Sequence, residues 1–328
     1  MRQKILRIVF VSLMTVCVMD IETAMPQTSG DMVRTASLSG LIQVRYQVRE
    51  DQADGCDVRR ARLSVKGIQG KRLSYRLQGE FGGTGQKLLD AVLVCQVTRF
   101  ASVHAGQFII PFSYENLISS GRLASVNRSQ VVEALCARGG DVLGNHSGRD
   151  IGIMVQMQNS YLDMSAGVFN GSGINRTDLN EDKDIIGRLV LRPVRSLGIG
   201  CSFYSGRMIP EGSMQSVARR RMGAEFSWNA AVASVSGEYI RGRDDVTEKA
   251  GWYTQAVCEI PGIPISMLMK YDTYDPDLDR ANTTTSVITA GCTAALNEYS
   301  SIRFNYEWKS EDVEVMNNVF VAQIQYRF

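Results

Sequence analysis

Long apolar stretches are almost absent from this sequence. Beyond the first 24 residues, no segment offers the 18 or more consecutive apolar residues that a membrane-spanning helix needs, so a helical membrane protein is excluded. The one early apolar run, Ile5 to Met19, is too short to span a bilayer, and Arg2, Lys4 and Arg7 give the chain a basic start. This arrangement predicts a secretory signal peptide over residues 1–24, with cleavage near Ala24, followed by a periplasmic segment over 25–39.

Histidine is scarce, and the cysteines are not clustered. His104 and His146 are the only histidines and lie far apart, which leaves little material for a catalytic triad or a histidine-based metal site. The six cysteines after the signal peptide are scattered singly, without C-x-x-C spacing. Their even number permits disulfides in an oxidising compartment, but Cys95, Cys201 and Cys258 lie in phase with apolar neighbours, where a thiol acts as a small hydrophobe. We expect no metal, no cofactor and no enzymatic activity.

A large excess of charge of one sign is also missing. The whole chain has 36 basic and 34 acidic side chains, and removal of the signal peptide leaves the two kinds nearly equal. A nucleic-acid partner is therefore not expected from bulk charge.

The feature that is present throughout is alternation of apolar and polar residues with period two. In Leu41 to Arg49, for example, Ile42 and Val44 alternate with Gln43 and Arg45. Such alternation predicts strands with one apolar and one polar face. About sixteen segments, most of them 9 to 12 residues long, suit a tilted strand that crosses a bilayer. They lie near 41–49, 60–66, 73–81, 88–97, 101–108, 150–158, 161–169, 184–193, 196–204, 217–228, 231–241, 251–260, 263–271, 283–294, 298–309 and 317–328.

The connections between these segments alternate in length as well. Short turns alternate with long polar loops, which we place near 170–183, 205–216, 242–250, 272–282 and 310–316. Outer-membrane barrels have short periplasmic turns and longer outer loops, whereas a soluble sandwich does not require this rhythm. The fold class predicted is thus all-β, a transmembrane antiparallel β-barrel over residues 40–328 in the lipid of the bacterial outer membrane. Phe328 is typical of the signal that the outer-membrane assembly machinery recognises.

Lipid surrounds such a barrel, so its polar phase must line the lumen. On the first three strands this phase is strongly basic, and guanidinium groups suit carboxylate and phosphate. It contains Arg45, Arg49, Arg60, Arg62, Lys66 and Arg76, opposed by Glu80. An alternative remains open, in which these side chains only solvate the wall and pair with lumen carboxylates such as Asp90, Glu225, Glu238 and Glu307.

A stretch of about forty residues without alternation, 109–149, forms the third outer loop in this strand order. Loops of this length are usually functional. It contains several serines together with Arg122, Arg128 and Arg138, whose donors would narrow the channel if the loop folded inward. The alternative is a lid that projects outward.

Several motifs are similar to those of the phosphate-selective porin O and P family. They are the run Arg59 to Gly67, the segment Leu88 to Ala91, the segment Gly106 to Leu117, and Asn127-Arg128-Ser129. The resemblance implies a sixteen-stranded homotrimeric porin whose third loop folds into the lumen and whose basic residues assist anions. Carried over by motif, the candidate lining residues are Arg60, Arg62, Lys66, Asp90, Arg122 and Arg128. The match departs at Asn127, where members often carry an acid.

Together these features predict an outer-membrane porin for passive diffusion of small hydrophilic solutes, biased to anions, with phosphate as a candidate. The alternative function is a non-conducting surface barrel that serves as an adhesin or as a subunit of a larger uptake assembly. The candidate pore-lining and anion-binding residues are Arg45, Arg60, Arg62, Lys66, Arg76, Asp90, Arg122 and Arg128.

Overall fold

Sixteen antiparallel strands form a closed barrel in the computed structural model, which describes residues 34–328 except 51, 84, 179, 210–214 and 313–314. Each strand pairs with the next, and β1 pairs with β16. The predicted fold class is thereby confirmed. The strands are β1 (Arg34–Arg49), β2 (Gly55–Gln69), β3 (Leu73–Glu80), β4 (Lys87–Gln96), β5 (Ala101–Ile109), β6 (Arg149–Gln158), β7 (Leu162–Phe169), β8 (Asp184–Val194), β9 (Leu197–Met208), β10 (Val217–Asn229), β11 (Ala233–Asp244), β12 (Thr247–Glu259), β13 (Ile265–Asp275), β14 (Thr285–Ala295), β15 (Ser300–Glu311) and β16 (Val319–Arg327).

The predicted signal peptide lies outside the described residues, and so does most of the predicted periplasmic segment. Strand β1 begins at Arg34, so residues 34–39, which were expected in that segment, belong to the first strand. In the part of the chain that the structure describes, no helix is long and apolar enough to cross a membrane.

The two faces of the barrel differ as the alternation predicts. On β1, Ile42 and Tyr46 are exposed on the outside, while Gln43 and Gln47 are buried on the inside. A polar inner face and an apolar outer face are the pattern that a lipid surround requires. The barrel closes where the Gly40 amide donates to the Phe328 carbonyl at 2.8 Å.

One loop prediction is wrong. Residues 242–250 were expected to form a long outer loop, but β11 runs to Asp244 and β12 begins at Thr247, which leaves a two-residue turn. Asp245 has φ 54, a conformation that aspartate tolerates in tight turns. The segment is polar because the hairpin arms carry charged side chains that pair across the strands, as Arg241 does with Glu248.

Two β-bulges interrupt the ladders of the first four strands. Between β1 and β2, Gln43 lies opposite Arg60 and Val44 lies opposite Val58, so Arg59 has no partner. Between β3 and β4, the register shifts at Leu89 in the same way. A bulge lets two consecutive side chains point to one side of a sheet, so strict alternation fails at both positions.

The connection between β5 and β6 contains two short helices, α1 (Tyr114–Leu117) and α2 (Gln130–Leu135). Its apolar side chains pack against side chains of β8 to β12. The buried cluster that they share includes Phe112, Val131, Val132 and Leu135 from the connection, with Ile186, Tyr204, Ile240 and Tyr253 from the strands. Burial of each such aliphatic or aromatic side chain is worth about 1.5–3 kcal/mol, so the connection is held firmly.

Candidate functional site

The segment that begins with Pro111 is attached to the opposite wall through Ser113. Its hydroxyl donates to Oε2 of Glu238 on β11 at 2.9 Å and accepts the amide of Asn116 at 3.2 Å, which caps α1. The Tyr114 amide donates to the other oxygen of Glu238 at 3.0 Å. Ser113 has φ 72, a strained conformation for serine that these hydrogen bonds offset.

Glu115 links the two helical turns of the connection to β13. One carboxylate oxygen accepts both the amide and the hydroxyl of Ser129 at 2.8 Å, and the other lies 3.6 Å from Nζ of Lys270. Lys270 also lies 3.7 Å from Asp272. These charges are almost completely buried, and a buried carboxylate is tolerated when it is paired and hydrogen-bonded in this way.

Asn127 holds the middle of the connection against β15. Its side-chain amide donates to Oε1 of Glu307 at 2.7 Å, and the Val126 amide donates to Asn305 at 2.7 Å. An acid at position 127 would face Glu307 with like charge. The departure from the family pattern therefore has a structural reason, because asparagine supplies the donor that this carboxylate needs.

Arg138 and Asn116 join the beginning and the end of the connection. The Arg138 guanidinium donates from Nε to Oδ1 of Asn116 at 2.8 Å and from Nη2 to the Asn116 carbonyl at 3.2 Å. Burial, together with the neighbouring charge of Arg128, lowers the pKa of Arg138 to about 9, so the group stays charged at neutral pH. Gly148 has φ 72 and lies so close that a Cβ there would be 2.0 Å from Oδ1 of Asn116.

Between β2 and this connection lies a cavity of about 370 Å³ that we call the basic cavity. Two of its guanidinium nitrogens, Nη1 of Arg59 and Nη1 of Arg128, are buried and have no hydrogen-bond partner within the described residues. Its acidic members are Glu80 and Glu133, and its basic members are Arg59, Arg60, Arg62, Lys87, Arg128 and Arg138. Orphaned donors of this kind in a basic surround can bind an anion.

Three of the predicted lining residues form ion pairs within the wall. Arg45 lies 2.7 Å from Asp57, Arg62 lies 2.5 Å from Glu80, and Arg76 lies 3.1 Å from Asp90. Arg62 also donates to the hydroxyl of Ser120 at 3.0 Å. Asp90 is shared, because Arg149 lies 2.7 Å from its other oxygen. For these arginines the alternative interpretation of wall pairing holds at least in part.

The remaining predicted residues differ in their surroundings. Arg60 donates to Gln43 at 2.7 Å, and Arg128 donates to the carbonyls of Glu115 and Ile118, so neither has a carboxylate partner among the described residues. Lys66 is exposed and lies away from the basic cavity. Arg122 is exposed and does not line that cavity either.

Sequence reasoning missed three residues of the basic cavity as sites. The alternation places Arg59 in the apolar, outward phase of β2. The bulge turns its side chain inward, so alternation alone does not predict it. Lys87 lies at the start of β4, where its ammonium donates to the Asn145 carbonyl at 3.3 Å. Arg138 was recognised only as one of several loop donors. The cluster Arg59-Arg60-Ala61-Arg62 was the available signal for an inward-facing basic group.

Among the described residues, the cysteines and acidic side chains form no further candidate site. The six cysteines of the described part have free thiols, with Cys95 and Cys136 buried. Within the described ranges, no group of three or more His, Cys, Asp or Glu side chains is placed to hold a metal ion. His104 interacts with the Ser102 hydroxyl at 3.0 Å.

The family model for phosphate-selective porin O and P matches residues 42–212, just over half of the chain and all of the strands that build the basic cavity. The chain belongs to this family. It is therefore a porin of the bacterial outer membrane. No curated protein matches its sequence.

Solved structures of similar fold have low sequence identity to this porin. An anion-selective porin from Comamonas acidovorans has 16% identity and a TM-score of 0.70, over 90% of this porin and 100% of that chain. The trimer form of OmpT, an outer-membrane protein of Vibrio cholerae, has 11% identity and a TM-score of 0.68, over 90% and 100%. OmpF of Salmonella typhi in complex with daunomycin has 12% identity and a TM-score of 0.65, over 89% and 97%. At these identities the likeness shows the fold alone.

Proposed function

We propose that this porin is a passive channel that favours small anions and that its connection 109–149 folds into the lumen as the constriction. The contacts of this segment support the inward position. It bonds to inward-facing side chains of strands on opposite sides of the barrel, such as Arg62 on β2, Glu238 on β11 and Glu307 on β15. A loop that projected outward would not reach these side chains.

The observation that carries the anion preference is the charge of the basic cavity. It has six basic and two acidic side chains, and the nearer acid, Glu80, is already paired with Arg62. Five basic side chains then face one remaining acid, Glu133, so the cavity keeps a net positive charge. They are Arg59, Arg60, Lys87, Arg128 and Arg138. In a narrow channel such charge attracts anions and repels cations.

Among the eight predicted lining residues, Arg60 and Arg128 are then the main carriers of selectivity, and Arg62 is a paired member of the same cavity. Arg45 and Arg76 contribute less to the constriction, because each forms an ion pair with a carboxylate and neither lines the basic cavity. Phosphate is a candidate solute, since its oxygens match guanidinium donors and the family description names it. The OmpT trimer form supports a homotrimer. Export by residues 1–24 and assembly through Phe328 complete the proposal.

Reversal potentials in planar bilayers under a KCl gradient test the channel. We expect preference for chloride in the wild-type porin and a clear loss of it in the Arg60→Gln and Arg128→Gln variants. Arg195→Gln, which removes the same charge from an exposed short turn, serves as the control and should leave the preference unchanged. Cation preference in the wild-type porin would contradict the proposal. Competition by phosphate against chloride current then tests whether phosphate binds in the constriction.

A further inference from the structure

A second cavity, of about 590 Å³, lies on the inner wall nearer the short turns, and we call it the lower cavity. Outer-membrane barrels place short turns in the periplasm, so the lower cavity lies on the periplasmic side of the basic cavity. Its size is within the range of about 300–1,000 Å³ that is usual for small-molecule sites.

The wall of the lower cavity is unusual because inward positions are apolar. Strand register places Val92 opposite Arg76, Val94 opposite Ser74 and His104, and Met154 opposite His104. These side chains line one continuous surface with Phe108. Val92, Phe108 and Met154 belong to the buried cluster that the connection shares with the wall, and Val94 packs against that cluster. The cavity therefore borders apolar side chains, whereas most inward positions of the barrel are polar. This part of the lumen can therefore bury an apolar group.

A cationic edge borders the apolar wall on β2 and β3. Lys66, directly opposite Arg76 in the register, is exposed and has no carboxylate within ion-pair distance in the described part of the chain. The Arg76 side chain is 34% exposed, and its Nε is buried without a hydrogen-bond partner. Asp90, which also lines the cavity, is shared between Arg76 and Arg149, so its single negative charge faces three basic side chains. The edge thus offers positive charge and free donors beside an apolar surface.

We infer that the lower cavity binds organic anions that have an apolar body, such as aromatic carboxylates. The carboxylate lies at Lys66 and Arg76, and the apolar body lies against Val92, Val94 and Met154. This site goes beyond the proposed selectivity for small anions, because the basic cavity has no comparable apolar wall. It gives the porin a second, chemically distinct binding step along the same lumen.

Block of single-channel chloride current tests the inference with three matched probes. Phenylacetate has both features, acetate has only the negative charge, and phenethylammonium has the same apolar body with a positive charge. We expect phenylacetate to block at a concentration about tenfold lower than acetate, since burial of a phenyl group is worth at least a factor of that order. Phenethylammonium should not block. Equal block by phenylacetate and acetate, or block by the amine, would overturn the inference.

Two substitutions locate the site. Val94→Thr removes one apolar contact and keeps a residue suited to a strand, so the phenylacetate concentration for half block should rise about fourfold. Lys66→Gln should raise it as well. Val103→Thr makes the same change on the outer face of β5 and is the matched control. A circular-dichroism spectrum identical to that of the wild-type porin shows for each variant that the barrel is intact.

Arg60→Gln separates this site from the proposed constriction. It should lower chloride preference while the ratio of phenylacetate to acetate block stays as in the wild-type porin. If Arg60→Gln abolished the ratio and Val94→Thr did not change it, the organic anion would bind in the basic cavity, and the inference would be wrong. If the wild-type porin lacked anion preference but phenylacetate still blocked at a lower concentration than acetate, the proposed function would be wrong. The inference that the lower cavity binds organic anions would then still be supported.

Discussion

The hydroxyl of Ser113 and the carboxylate of Glu238 form a hydrogen bond of 2.9 Å between residues that are 125 positions apart in the chain. Three donors of the connection converge on this one carboxylate, from Ser113, Tyr114 and Glu115. Glu238 is therefore the principal anchor of the connection on β11.

We predict that Glu238→Gln loosens this anchor. The amide NH₂ of glutamine would face donors, and an unsatisfied buried donor costs about 1–3 kcal/mol. Single-channel recordings should show higher mean conductance and more current fluctuation. Glu298→Gln, at an exposed short turn, is the control and should behave as the wild-type porin. Unchanged conductance and noise in Glu238→Gln would show that other contacts hold the connection.

A second prediction concerns Gly148. In Gly148→Ala the methyl group would meet Oδ1 of Asn116 and displace Arg138, in addition to about 1–2 kcal/mol for the left-handed backbone. We expect faster cleavage by trypsin within the connection, at Arg122, Arg128 or Arg138. Gly70→Ala has a similar φ of 64 with open space around it, so it isolates the backbone cost. Equal trypsin resistance of both variants would argue against the close packing at Gly148.

A third prediction separates paired from unpaired arginines. The double variant Arg62→Gln/Glu80→Gln removes a neutral pair, so anion preference should stay close to that of the wild-type porin. Arg60→Gln removes a charge that has no acidic partner and should lower the preference. The measurement is the reversal potential under the same salt gradient. A loss of preference in the double variant would assign selectivity to Arg62 itself.

The fourth prediction concerns pH and His146. Nδ1 of the His146 ring accepts a hydrogen bond from the Ile174 amide at 3.1 Å, and Nε2 lies 3.1 Å from the Leu143 carbonyl. The ring thereby joins the connection between β5 and β6 to the connection between β7 and β8. Burial, with the nearby charges of Arg176 and Lys87, lowers the pKa of His146 below its usual value of about 6.5. The unfolded chain then binds the proton more readily than the folded one. The neutral His146 ring therefore contributes to the free energy of unfolding. This contribution is complete above about pH 6.5 and is lost as the pH falls from there through the folded-state pKa of His146.

Thermal unfolding of the porin in detergent at pH 7.5 and pH 5.5 measures this effect. The difference in melting temperature between the wild-type porin and His146→Gln should be larger at pH 7.5 than at pH 5.5. Asn145→Ala, a neighbouring change without a titrating group, should give the same difference at both pH values. If the difference in melting temperature between the wild-type porin and His146→Gln did not change with pH, the ring would not titrate in this range.

The number of strands could be predicted because lipid outside and water inside impose the same alternation on every strand. Ile42 and Gln43 on β1 show this rule at its clearest. The rule fails where an inward position packs against another part of the chain and not against water. Val92 and Ile186 are apolar and inward because the connection of α1 and α2 packs against that wall.

The candidate site was predictable in part for a related reason. The sequence predicts Arg60, Arg62 and Arg128 as pore-lining residues because guanidinium groups suit anions. All three line the basic cavity. Their pairing depends on partners distant in sequence, such as Glu80 for Arg62, which periodicity does not reveal. Arg59 was missed because the bulge beside it is a matter of register between two strands.

The bulge between β1 and β2 also separates the charge of the channel wall from its architecture. Arg59 has no partner on β1, so a deletion of its single codon would remove one guanidinium and leave Arg60 and Val58 able to join a regular ladder. The same step in reverse would add a charge without a new strand or loop. A one-residue insertion or deletion at this bulge can therefore change the charge of the basic cavity while the number of strands stays the same.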